Sequence, residues 1–148
     1  MRAELQIPAE LDPAIHKLIG EACARGDRLA DAEEYGLAIK AYNEAWQLIP
    51  EPKAEWNAST WVLTAIADCA YLGGFRQSAR EAIDYVMTCP GAIGNPFIHL
   101  RRGQILLDEG ENDAAADELA RAYMGGGTEI FAGADPKYLH FLSTHMQL

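Results

Sequence analysis

Apolar residues recur along this chain at three- and four-residue intervals, the spacing that gathers side chains on one face of a helix. From Pro13 to about Ala32 the rhythm is set by Ile15, Leu18, Ile19, Ala22 and Leu29. Asp12-Pro13 is a helix start, an acceptor side chain followed by the residue whose missing N–H costs nothing there. Glu33-Glu34-Tyr35-Gly36 reads as a turn. A second helix then runs to about Ile49 with Ala38, Ile39, Tyr42, Ala45 and Trp46 on one face, and Pro50 and Pro52 end it. The next helix is expected from Ser59 to about Leu72, broken by Gly73-Gly74. Phe75 opens its partner, which carries Ala79, Ala82, Ile83, Val86 and Met87. Pro90-Gly91 and Gly94-Asn95-Pro96 bracket a loop. A third pair spans Phe97–Glu109 and Asp113–Met124 around Gly110, and Gly125-Gly126-Gly127 is expected to release the chain from helix. After a short turn near Thr128 to Phe131, Asp135-Pro136 starts a last helix with Tyr138, Leu139, Phe141 and Leu142 on its apolar face. No segment alternates with period two, so the expected class is all-α.

One spacing occurs three times. A Gly or apolar residue is followed after twelve positions by a small residue, then by side chains four and three further on, then by a breaker. The copies read Gly26, Ala38, Tyr42, Ala45, Pro50; Ile66, Ser78, Ala82, Tyr85, Pro90; and Gly103, Ala115, Leu119, Ala122, Gly127. Such repetition indicates helix pairs, each unable to bury its apolar face alone. In an antiparallel pair, small residues at the crossing let the backbones approach. Gly26 and Gly103 are expected there, faced by Ala38 and Ala115, with Tyr42 and Leu119 filling the space towards the next pair.

These residues resemble the tetratricopeptide repeat, a helix-turn-helix unit of about 34 residues. Gly26, Tyr35, Ala38, Tyr42, Ala45 and Pro50 match its signature nearly in full, and Gly103, Gly110, Ala115, Leu119 and Ala122 match without the closing Pro. In the second copy Phe75, Ser78 and Pro90 match, while Ile66 and Ala82 depart. The copies stand 40 and then 37 residues apart, with insertions in the Glu51–Ala58 and Cys89–Asn95 connections. Length predicts one domain over 1–148, and the resemblance, which covers about Ile19 to Gly127, implies repeats at about 13–50, 59–90 and 97–124, with a cap over 128–147. It also implies a concave binding surface lined by the first helix of each pair. Those positions are Cys23, Asp27 and Asp31; Thr60, Leu63, Ala67 and Tyr71; and Phe97, Leu100, Arg101, Gln104 and Asp108. One subset of the family grips a carboxylate with Lys, Asn and Arg. Cys23 and Asp27, then Leu63 and Ala67, stand at its places here and exclude that ligand. A second resemblance runs from Ala122-Tyr123-Met124 through Glu129-Ile130-Phe131 to Asp135-Pro136-Lys137-Tyr138-Leu139. It is to small bacterial repeat proteins that sit beside toxin genes as immunity proteins.

Charge sharpens the picture. Twelve bases against 22 acids leave a net charge of −10, which argues against nucleic acid and against anionic membrane surfaces. The same field steers a basic partner inward. Asp108, Glu109, Glu111, Asp113, Asp117 and Glu118, with Asp27, Asp31, Glu33 and Glu34, form a candidate negative ridge. Trp56, with Trp61 just beyond, adds a candidate anchor, since Trp is enriched at binding hot spots. Cys23, Cys69 and Cys89 are odd in number with no CxxC pair, and no apolar run marks a signal peptide or a membrane span. The expected place is therefore the cytoplasm. His16, His99, His140 and His145 are scattered, and no nucleophile elbow, phosphate loop or HExxH occurs. The expectation is a non-catalytic protein-binding module without metal or cofactor. More narrowly it is an immunity protein against a basic toxin domain; the alternative is a scaffold or assembly chaperone taking an apolar peptide through Leu63, Tyr71, Phe97 and Leu100. A self-associating structural module is the third possibility.

Overall fold

A computed structural model describes residues 11–148. Seven α-helices account for most of them, and no strand occurs among the described residues. They are α1 (Pro13–Asp31), α2 (Tyr35–Leu48), α3 (Asn57–Leu72), α4 (Arg76–Val86), α5 (Pro96–Asp108), α6 (Asn112–Gly126) and α7 (Pro136–Ser143). Short 3₁₀ turns cover Lys53–Glu55 and Thr128–Phe131. The chain divides into two compact units, the first ending at Gly91 and the second running from Ala92 to Leu148. In the first, α1 packs on α2, α2 on α3 and α3 on α4; in the second, α5 packs on α6, and α6 on α7. The second core closes around Leu119, Ala122, Phe131, Tyr138 and Leu142.

The starts obey the expected chemistry. Asp12, Asn95 and Asp135 each accept a hydrogen bond from a backbone N–H in the first turn, with Pro at the first helical position. The three turns within the pairs share one geometry. Glu33, Gly74 and Gly110 take the left-handed conformation, at φ of 60°, 80° and 82°. Their N–H groups donate to Ala30, Tyr71 and Leu107, and the next residue's N–H reaches back to Leu29, Ala70 or Leu106. This doubly bonded ending satisfies the last carbonyls of a helix. Gly36, expected to be part of the first turn, lies inside α2, and Glu33 takes the strained position instead.

Aligning the chain on these turns corrects the second repeat by one residue. Counted from Glu33, Gly74 and Gly110, the crossing positions are Gly26, Ala67 and Gly103; the next small residues are Ala38, Ala79 and Ala115. Opposite stand Tyr42, Ile83 and Leu119, and every one of the nine is buried. Ser78, expected among them, is exposed. The repeats are therefore offset by 41 and then 36 residues.

The residues facing the glycines are also corrected. A Cβ on Gly26 would stand 2.5 Å from the Tyr42 ring, and one on Gly103 would stand 2.6 Å from Leu119 Cδ2. Tyr42 and Leu119 thus lie over the glycines, in the place assigned from sequence to Ala38 and Ala115. Nor does the glycine run end α6 at Met124. Gly125 and Gly126 stay helical, with Pro96 and Ile130 packed where their side chains would be, and Gly127, at φ 69°, makes the stop.

Candidate protein-binding face

The turn-based alignment decides which side of each first helix is free. At one repeat position stand Gly20, Trp61 and Phe97, all exposed; Trp61 and Phe97 show 64% and 65% of their surface. At the next stand Cys23, Thr64 and Leu100, all half-buried. Two turns towards the C-terminus stand Asp31, Leu72 and Asp108, all exposed. Between them Asp27 is exposed, Asp68 half-buried and Gln104 buried, so the third repeat closes where the first is open. No Lys or Arg occupies any of these places.

Against this frame the residues expected from sequence separate. Asp27 and Asp31 lie on the exposed face of α1. Asp27 also accepts the Tyr42 hydroxyl at 2.6 Å. Burial, then Asp27 itself, pushes the Tyr42 hydroxyl far above its ordinary pKa and keeps it a donor; Cys69 of α3 and Cys23 of α1 act on it in the same sense. Tyr42 thereby ties α1 to the neighbourhood of α3. Burial, with Asp27 second, likewise raises the Cys23 thiol, which makes it a poor nucleophile.

Leu63, with Thr60 and Ala67, is buried, because one residue of register turns a helix by about 100°. The exposed side of α3 instead carries Trp61 and Leu72, with Tyr71 half-buried beside it. Trp56 is half-buried and its indole N–H donates to the Pro50 carbonyl at 2.9 Å. It fastens the connection, as does Lys53, whose ammonium donates to the carbonyls of Trp46 and Ile49 at the end of α2. In the second unit Phe97 is exposed, while Leu100 is half-buried against the core. Arg101 is half-buried and donates to Gln104 Oε1 at 2.9 Å. Asp108 accepts the Tyr138 hydroxyl at 2.8 Å and pairs with Lys137 at 3.2 Å.

The expected acidic ridge loses one member outright. Glu118 is 5% exposed and faces His99, itself 2% exposed, at 3.1 Å between Oε2 and Nδ1. A buried imidazole beside a carboxylate suggests acid–base chemistry, but the other ring nitrogen, Nε2, accepts the Gly94 N–H at 2.8 Å. Both ring nitrogens are thus engaged within the protein. Among the described residues no three His, Cys, Asp or Glu side chains group as metal ligands do, and no helix is long and apolar enough to cross a membrane. No known family model matches the chain, and no curated protein matches it in sequence.

Proposed function

We propose that this chain is a non-catalytic protein-interaction module of antiparallel helix pairs of tetratricopeptide kind: the first unit offers the exposed sides of α1 and α3 to a partner, and the second unit, which ends in α7, offers the equivalent side of α5. The observation that carries the reading is the equal exposure of Trp61 and Phe97 at one and the same repeat position. Large aromatics left in water at equivalent places are anchors in search of a pocket. The narrower reading is a cytosolic immunity protein that covers a basic toxin domain, supported by the net charge of −10 and by Asp27 and Asp31 on the exposed side of α1. Acidic groups around aromatic anchors speed capture of a basic partner and discourage acidic ones.

A pull-down of basic neighbours from the native cytoplasm, at low and high salt, tests this. Binding is expected to weaken with salt and to fall more than tenfold in Trp61→Ala, with thermal stability unchanged because the side chain is mostly in water. The scaffold or assembly-chaperone reading draws on Leu72, which lies exposed on the same helix as Trp61. It requires affinity that survives salt. Capture of no protein by the wild-type chain at either salt concentration overturns both.

A further inference from the structure

The second unit holds one polar pair where the first holds apolar ones. Residues 22 and 41, 63 and 82, and 99 and 118 are equivalent pairs in the three repeats: Ala22 with Ala41, Leu63 with Ala82, and His99 with Glu118, all six buried. Packing alone is satisfied by Ala or Leu at these places, so the imidazole and carboxylate need another reason. Their contacts supply it. The Gly94 N–H donates only, so Nε2 must carry the lone pair and Nδ1 the proton, which is given to Glu118. The groups facing the ring are Glu118 from α6; Arg102 from α5, whose Nη1 lies 3.6 Å from the same carboxylate oxygen; and the uncharged Gly94 amide from the loop.

We propose that His99 is a protonation-controlled latch on the loop that precedes α5. A second proton on the ring must go to Nε2. There it removes the acceptor of the Gly94 N–H and sets two donors against each other. On the other side nothing is lost, because Nδ1–H donates to Glu118 in either form. Acid therefore opens the loop and spares the helix pair. Gly94 sits at φ 97°, and as glycine it moves between backbone basins at little cost. Ile93, 72% exposed, moves with it, just ahead of Phe97. The latch thus adjusts how one end of α5 is presented, and it stands whether or not that end binds a partner.

Amide exchange of the whole chain, followed by NMR from pH 8 to pH 5 and corrected for intrinsic rates, tests the latch across the range where imidazoles ordinarily titrate. Protection of the Gly94 amide is expected to fall more than tenfold on acidification, while Ala115 and Leu119 keep theirs. In His99→Gln the acid response of Gly94 disappears. Equal Gly94 protection at pH 8 and pH 5 overturns the proposal. So does a response that persists in His99→Gln.

Discussion

The pairs α3–α4 and α5–α6 end their first helix in the same turn, yet one places Leu63 and Ala82 where the other places His99 and Glu118. The apolar version needs nothing beyond close packing. The polar version must satisfy a buried imidazole on both nitrogens, and it does so with one helix and one loop. The contrast shows that a shared backbone sets which positions are buried but not what chemistry they hold. Breaking one partner should be costly and replacing both should not. Glu118→Ala leaves the Nδ1–H of His99 buried without its acceptor and is expected to lower stability by about 3 kcal/mol. The double variant His99→Leu with Glu118→Ala, which copies Leu63 and Ala82, is expected to return to within about 1 kcal/mol of the parent or above it. Urea denaturation of the three proteins decides the matter. A double variant as weak as the single would mean that the two helix pairs are not interchangeable at this position.

The same comparison explains what could be read from the amino acids alone. Helix positions followed from periodicity, Pro and Gly, and Gly26 and Gly103 stand seven residues ahead of the left-handed residues Glu33 and Gly110 alike. The second repeat offered a false match. Ile66 and Ala82 are sixteen residues apart, like Gly26 and Tyr42 or Gly103 and Leu119, so the spacing fitted one residue out of place. The reliable marker was Gly74, whose left-handed backbone matches Gly110. Glu33 hid the rule by adopting that conformation without being glycine. From this slip came the choice of Leu63 for the binding face and the passing over of Leu72. The His99–Glu118 contact had no local signature, since its members lie on different helices, 19 residues apart in sequence.

Tyr42 and Leu119 offer a second comparison, because both cover a glycine but only one carries a hydroxyl. The Tyr42–Asp27 bond is expected to contribute about 1 kcal/mol at neutral pH, so Tyr42→Phe should be weaker by that amount. The pH dependence has a definite sign. Folding raises the hydroxyl far above its ordinary 10.0, chiefly through burial and then through Asp27. The unfolded chain therefore loses this proton first. The contribution is complete below pH 10 and shrinks above it, by up to about 1.4 kcal/mol per pH unit for one proton. Parent and Tyr42→Phe stability curves should converge near pH 11 and stay parallel below pH 9. Curves that remain parallel to pH 11 would show that the hydroxyl ionises equally in both states.

The smallest expected effect concerns the three turns. Gly74 and Gly110 adopt positive φ without a Cβ, whereas Glu33 does so at 60° with one. An L side chain there brings Cβ against the following carbonyl oxygen, at about 1 kcal/mol or somewhat more. Replacing Glu33 by Gly removes that clash but gives the unfolded chain more freedom, which returns part of the gain. The net expectation for Glu33→Gly is a stabilisation of about 0.5 kcal/mol, read as a rise in Tm of one or two degrees. The reverse change, Gly74→Glu, should cost at least as much, since the hydrogen bonds from residues 74 and 75 hold the backbone in the same basin. If Glu33→Gly instead lowers Tm, the Glu33 side chain contributes something that outweighs its strain. The first turn then differs from the other two in energy while matching them in shape.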